Sequence, residues 1–337
     1  MSILITGGAG YIGTHTLLAL NDAGYAPVVI DNLSNSTNDA LRQTERLGGI
    51  QFPFYEADVR DRSVLRQIFR THPIEAVIHF AGLKAVGESV SQPLRYFSNN
   101  LESTLALVDV MKEHGCRQLV FSSSATVYGA PQQLPLTEDH PLSATNPYGR
   151  TKLMIEEILN DLSQSDAFWR IAMLRYFNPV GAHLSGRIGE APLGPPNNLF
   201  PCITQFMTGV RSELKVFGDD YPTPDGTGVR DYLHVCDLAE GHVSALKKLE
   251  EIEGAVSINL GTGKGHSVLE VIRLFEQVSG REIPYQIVPR RPGDVAECYA
   301  DATKAKELLG WEVNYDLPRM IQDSWRWQNH NFNRTPA

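Results

Sequence analysis

With 337 residues, the chain can bury a sizeable core, as one large domain or as two. Its 42% hydrophobic and 20% charged residues fit a soluble globular protein, and a formal charge of −9 works against a general nucleic-acid binder, which needs a broad basic surface. No apolar run reaches the length of a membrane span, and the opening MSILITGGAG enters a strand-like run without the regions of a signal peptide, so a cytoplasmic protein is expected.

In chain order, SILIT (2–6), PVVID (27–31), EAVIHF (75–80) and QLVFSS (118–123) are short, apolar and β-branched, as buried parallel strands are. Residues 12–23, 61–70 and 93–114 between them carry helical periodicity. A helix opens near Tyr148, and IAMLRYF (171–177) reads as a further strand. Such alternation predicts an α/β fold: a Rossmann-type, doubly wound parallel sheet with helices on both faces. Past residue 178 the character changes. The stretch 178–201 is rich in Gly, Pro and Asn, which predicts a long ordered loop or a lid. Mixed short elements follow, then a last helix near 317–327 and a frayed tail, NHNFNRTPA.

Cys116, Cys202, Cys236 and Cys298 lie far apart with no paired spacing, against the usual zinc patterns and a disulfide framework. GTGKGHS (261–267) has the flavour of a phosphate loop, but its glycine spacing is wrong and no hydroxyl residue follows Lys264; a strand-to-helix turn is expected. DDYPTPDG (219–226) lacks the spacing of a calcium loop and reads as a solvated loop. No metal site is expected, and His79, inside a strand, reads as a core residue.

ILITGGAGYIGTHTLLAL runs strand, glycine turn, helix, with Gly7, Gly10 and Gly13 at the turn. Such a turn needs residues that tolerate positive φ and let the backbone approach a pyrophosphate, whose charge the helix N-terminus then meets. Asp31 ends the second strand, where an acid accepts bonds from a ribose 2′-hydroxyl and repels a 2′-phosphate. NAD is therefore expected in preference to NADP.

NPYGRTK (146–152) sets Tyr148 and Lys152 four residues apart, on one face of a helix. A phenol is too weak a base at neutral pH. An ammonium group beside it, with the positive charge of oxidised nicotinamide, would favour the phenolate. FSSSATVYG supplies Ser122, Ser123 and Ser124 at the end of a parallel strand, where open α/β sheets place their sites. Glycine turn, serine and Tyr-x-x-x-Lys in this order resemble the extended branch of the short-chain dehydrogenase/reductase superfamily.

FAGLKAVGESV (80–90), FSSSATVYG (121–129), LRYFNPVGAH (174–183), PNNLFP (196–201), GTGVRDYLHV (226–235) and RRPGD (290–294) narrow this, and the chain resembles the UDP-glucose 4-epimerase family from residue 2 to about 327. The resemblance implies a tightly bound NAD, UDP-hexose substrates and inversion at sugar C4 through a 4-keto intermediate. Tyr148 would be the catalytic base, Lys152 its electrostatic and ribose-binding partner, and Ser124 the hydroxyl bonding the sugar oxygen. By the same resemblance, NAD would contact Gly7, Gly10, Tyr11, Ile12, Gly13, Asp31, Asn32, Asn35, Ser36, Asp58, Val59, Phe80, Ala81, Gly82, Lys84, Asn99, Ser122 and Phe177. The nucleotide sugar would use Lys84, Asn178, Asn198, Leu199, Phe217, Arg230, Arg291 and Asp294; guanidinium forks suit a pyrophosphate. Residues 1–178 would form the NAD-binding domain and 179–337 mainly a smaller mixed α/β nucleotide-sugar domain, some of whose segments return to the sheet. A homodimer through helices at about 93–114 and 148–163 is implied as well.

Two alternatives share much of this pattern. A sugar-nucleotide 4,6-dehydratase carries Asp-Glu after the active-site hydroxyl residue, whereas Ala125 and Thr126 follow Ser124 here. A non-enzymatic NAD-sensing regulator typically loses the Tyr–Lys pair, which this chain keeps. Some relatives carry tyrosine where this chain has Cys298. The smaller thiol leaves room for an N-acetyl group, so UDP-GalNAc and UDP-GlcNAc are expected substrates too.

Overall fold

The computed structural model describes residues 1–291 and 293–332. The first part runs β1 (Ser2–Thr6), α1 (Tyr11–Asp22), β2 (Ala26–Asp31), α2 (Asn38–Gly48), β3 (Phe54–Glu56), α3 (Arg62–Thr71) and β4 (Ile74–His79). It continues through α4 (Val86–Ser91), α5 (Pro93–Glu113), β5 (Gln118–Ser124), α6 (Pro147–Ser165) and β6 (Arg170–Tyr176). Then come β7 (Asn178–Val180), α7 (Leu199–Met207), β8 (Lys215–Phe217), β9 (Val229–His234), α8 (Val235–Lys248) and β10 (Gly254–Leu260). The chain closes with β11 (Gly265–Ser267), α9 (Val268–Ser279), β12 (Gln286–Val288), β13 (Glu297–Cys298), α10 (Thr303–Leu309) and α11 (Leu317–Phe332).

Seven parallel strands form the main sheet in the order β10-β6-β5-β4-β1-β2-β3. Alternation along a strand sends neighbouring residues to opposite faces. Ile3 and Ile5 accordingly join one core, with Leu17, Leu246 and Trp311, while Leu4 joins the other, with Leu107, Met111 and Trp169. The first strands wind one way from β1 and the rest wind the other way from β4, so a crevice opens between those two at the carboxyl edge.

Glycine makes the crevice possible. At Gly7, φ is +71°, and a Cβ would lie 2.8 Å from the backbone nitrogen of Ala81. A Cβ on Gly13 would lie 2.6 Å from the Gly7 carbonyl oxygen, so only a bare backbone lets α1 start this close to β1.

The predicted strands and helices of the first half are present, within a residue or two at their ends. Two strands escaped prediction, and both are edges of the sheet. β3 has three residues, none buried, and β10 (GAVSINL) is only half-buried over its first four. Neither forms the continuous buried run that announces a central parallel strand. β10 comes from the second half of the chain, and α8 packs against α1.

A smaller sheet is built on β9, with β7 and β13 parallel to it and β11 antiparallel. β8 and β12 pair separately. Phe200, Tyr232, Phe275 and Ile321 fill the core beneath. The 178–201 stretch is an ordered loop between β7 and α7, pinned where Gly189 packs on Trp327. GTGKGHS holds a short strand, β11, before Ser267 caps α9 in a capping box with Glu270. The 219–226 loop is less solvated than expected. Tyr221 is buried, and Asp225 accepts bonds from Thr227 and Ser267. α11 runs past 327 to Phe332, and the rest of the expected frayed tail lies outside the described residues.

Candidate active site

Asn146 starts α6 by accepting a bond from the Gly149 amide at 2.9 Å, and Pro147 occupies the first turn, where its missing N–H costs nothing. That start sets Tyr148 half-buried in the first turn of α6 and Lys152 one turn further along, buried. The Lys152 ammonium donates to the Ser122 carbonyl at 2.6 Å and lies over the Phe121 ring. Next along β5, Ser124 ends the strand, and its oxygen accepts bonds from the Thr126 amide and hydroxyl at 3.2 and 3.0 Å. The structure thus brings Ser122, Ser124, Tyr148 and Lys152 to one corner.

Its electrostatics differ from the simple expectation in one respect. Burial lowers the Lys152 ammonium to about 8, against the pull of Glu156. Tyr148 is partly exposed as a residue, but its phenol is deep enough for burial to raise it, with the Ser124 hydroxyl pulling the other way. In the protein alone, desolvation outweighs the Ser124 hydrogen bond. Additional positive charge at the corner is what would bring the phenol down.

The crevice fits NAD. α1 begins with no capping side chain and no acid in its first turn, which leaves its first amides to an anion. Asp31 holds the surrounding loop, accepting from the Ala9 and Leu33 amides at 3.0 and 2.8 Å and from the Ser36 hydroxyl at 3.0 Å. Asn32 donates to Asp58, which Arg60 grips with two bonds and lowers to about 2. Asn35 lies in the same loop. Ile12 and Val59 turn their side chains into the two cores, leaving their main-chain groups to face a ligand. Phe80 to Gly82 line the β4 side, where the Ala81 amide donates to Thr6. Asn99 bonds its neighbour Asn100.

The residues expected to hold a nucleotide sugar fall into two groups. Arg291 bonds Asp294 at 2.9 Å and stacks 4.9 Å over Phe217, and Arg230 reaches the same Asp294 at 3.9 Å. Asn198 precedes α7, whose first residue is Leu199, and donates to Glu190 at 2.8 Å; Lys84 reaches that carboxylate at 3.5 Å. Asn178 begins β7 directly after the buried Phe177. Cys298 pairs in register with Arg230 and packs in the cluster of Tyr128 and Phe177, so it links the arginine group to the serine corner. Burial raises its thiol to about 11.

Several residues of this region gave no sequence signal. Asn100 bonds both backbone groups of Leu83 and the Thr151 hydroxyl, tying the β4 loop to α6. Glu190 sits in a glycine- and proline-rich stretch with nothing to mark it. Glu156 and Arg175 form a buried ion pair at 2.7 Å beneath the corner. A four-residue step from Lys152 to Glu156 was the one available hint.

A sheet wound this way, with its glycine turn and the serine, Tyr148 and Lys152 corner, belongs to the short-chain dehydrogenase/reductase class. The family model for GDP-mannose 4,6 dehydratase matches residues 4–324. A UDP-glucose 4-epimerase from Bacillus subtilis (strain 168) is 59% identical, covering 99% of this chain and 98% of its own. The structure of a Bifidobacterium longum UDP-glucose 4-epimerase in complex with NAD+ and UDP superposes with a TM-score of 0.96 at 51% identity, covering 99% of both chains. One from Stenotrophomonas maltophila, with NAD and formylated UDP-arabinopyranose, gives 0.97 at 48% identity, covering 99% of this chain and all of that one. The chain belongs to the UDP-glucose 4-epimerases.

Lys152 provides a test by pH. Its folded value is about 8, against 10.5 for an ordinary lysine. Between those values the unfolded chain binds a proton that the folded protein has released, so folding gains stability as pH rises. Urea unfolding without NAD should therefore show wild type gaining stability relative to Lys152→Met, by on the order of 1–3 kcal/mol, across that window. A difference that stays flat with pH would mean the lysine is not depressed.

Proposed function

We infer that this chain interconverts UDP-galactose and UDP-glucose by oxidation and reduction at sugar C4, with a tightly held NAD. Its relatives support the reading, and one observation carries it: the Ser124–Tyr148–Lys152 corner is intact, with Ala125 and Thr126 where a dehydratase would carry an acid pair. The dehydratase alternative is not favoured, and loss of the Tyr–Lys pair, the mark of a sensing protein, has not occurred.

Bound NAD supplies a reversible hydride acceptor. The protein's part is to move one proton and hold the ligand. Tyr148 accepts the 4-hydroxyl proton as phenolate and returns it when the alcohol re-forms. Lys152 lends positive charge to that phenolate, and Ser124 orients the sugar oxygen. Arg230 and Arg291 grip the pyrophosphate, with Asp294, Phe217, Asn178, Asn198 and Leu199 around the nucleotide. By this reading residues 1–178 serve mainly NAD, and 179–337 mainly the nucleotide sugar, with β10 returning to the sheet.

A homodimer is proposed through α5 and α6, where Leu94, Leu105 and Met154 are exposed at 82%, 42% and 36%. Light scattering at working concentration should give twice the chain mass; a monomer would end that proposal. Among the described residues no helix is long and apolar enough to cross a membrane. The cytoplasm is the proposed location.

Tyr148→Phe removes only the ionisable oxygen. It should retain NAD through gel filtration and lose more than nine-tenths of kcat on UDP-galactose, a barrier of at least about 1.4 kcal/mol. Product analysis on wild type tests the reaction itself: UDP-glucose is expected, and a stable keto-deoxy sugar would reverse the choice against the dehydratase.

Cys298 governs a finer proposal. A thiol at this position leaves space that a phenol would fill, and forcing an N-acetyl group into a packed site costs on the order of 1–3 kcal/mol. The chain is therefore proposed to turn over UDP-GalNAc and UDP-GlcNAc as well. Cys298→Tyr should lower kcat/KM for the N-acetylated pair selectively, on the order of tenfold or more for that range of strain. Equal losses on both pairs, or no N-acetyl turnover in wild type, would defeat it.

A further inference from the structure

Tyr148, Lys152 and Glu156 follow one another at four-residue steps on α6 and so share a face. Glu156 is 2% exposed and carries no ligand role in the reading above. Its Oε1 accepts from the Ser123 hydroxyl at 2.5 Å and from Arg175 Nε at 3.0 Å, while Oε2 accepts from Arg175 Nη2 at 2.7 Å. Ser123 stands between Ser122, whose carbonyl receives the Lys152 ammonium, and Ser124. Arg175 in turn donates to the Tyr128 hydroxyl and the Glu138 carbonyl, at 3.0 and 3.1 Å. One carboxylate thus fastens the helix bearing Tyr148 and Lys152 to the strand bearing the serines, and to β6 beside it.

We propose that Glu156 is a positioning residue for the Tyr148–Lys152 pair: it locks that turn of α6 to the serine strand and supplies the negative charge that offsets the buried ammonium. The other groups facing Lys152 do not supply that charge. On β5 these are the Ser122 carbonyl and the Phe121 ring. On β4 it is His79, buried between Thr6 and Thr104 and lowered to about 3, first by burial and then by Lys152 itself. On β6 stands Arg175, a cation beyond Glu156, while the Tyr176 phenol, raised by burial, bonds His242 instead. On α6 there remain Tyr148, whose phenol burial also raises, and Glu156. This role rests on the catalytic reading of Lys152 given above.

Glu156→Gln keeps the shape and removes the charge; Arg175→Gln disturbs the same packing and leaves the carboxylate. The two separate electrostatics from mere structure. The Lys152 titration, followed by NMR on isotope-labelled lysine and assigned by its loss in Lys152→Met, should fall by about one pH unit in Glu156→Gln and should not fall in Arg175→Gln. The alkaline limb of kcat/KM should move the same way, because less negative charge lets Lys152 lose its proton at lower pH. The KM for UDP-galactose and the Kd for UDP should stay within twofold of wild type. Glu156→Gln leaves a lone buried cation and can fail to fold; the paired Glu156→Gln/Arg175→Gln variant, which leaves neither charge, should still show a fall, smaller than that of the single change. No fall in the variants lacking the carboxylate, or an equal fall in Arg175→Gln, would overturn the proposal. The NMR readout does not depend on turnover, so a wild type without epimerase activity would count against the functional reading instead.

Discussion

β1 and β4 lie side by side in the sheet, and the chain winds away from them in opposite directions, so a crevice opens at the carboxyl edge between them. The gap is kept by backbone rather than by side chains. Gly7 approaches Ala81 too closely for a Cβ, and Gly13 approaches Gly7 likewise. Below the gap the pairing is sealed by polar groups with no access to water. His79 bonds Thr6 on one side and Thr104 on the other, reaching from β4 to β1 and to α5. The Thr6 hydroxyl also accepts the Ala81 amide at the lip. A rigid, glycine-lined slot with amides pointing into it is the condition for everything proposed at its rim.

A second constraint fixes the far wall. Removing ions from water is costly, and a buried pair is tolerated only when its remaining donors and acceptors are satisfied. Arg175 and Glu156 meet that demand through Ser123, Tyr128 and Glu138, and Tyr128 passes the connection to Asn259 on β10 at 2.6 Å. Asp231 plays the same part in the smaller sheet. Its buried carboxylate is raised by desolvation, while the Thr262 hydroxyl, the Thr262, Gly263 and Ala300 amides pull it back. The GTGKGHS loop thus aims its amides at a carboxyl group, and that group is Asp231 of the same chain.

How much of this could be read from sequence depends on whether a feature is local. Gly7, Gly10, Gly13 and Asp31 form a pattern because strand, turn and helix succeed one another within a few dozen residues. Tyr148 and Lys152 are legible because a helix brings positions four apart together. β10 was not legible, since an edge strand taken from the second half of the chain has no neighbour in sequence to announce it. Glu190 and Asn100 were hidden for a like reason: the bonds that tie Glu190 to Lys84 and Asn100 to Leu83 and Thr151 span 17 to 106 residues of sequence. Resemblance assigns Arg230, Arg291, Asp294 and Phe217 to one ligand, and the structure groups them through contacts that no spacing rule would give.

The two walls of the site are held very differently, and that asymmetry has chemical consequences. Beneath Tyr148, the Glu156–Arg175 pair is buried and multiply bonded, and the Lys152 ammonium is held on the Ser122 carbonyl, so the proposed base, the lysine and the serine strand are tied to one another. By contrast, Lys84 on the loop after β4 and Asn198 each make one bond to Glu190, on the 178–201 loop beside Trp327. Surface pairs of this kind contribute little and exchange easily. An enzyme that must return a hydride to the opposite face of the same carbon needs a base that stays in place while the hexose turns over. On the reading proposed above, firm bonds under the phenol and weaker ones around the space beside it suit both requirements.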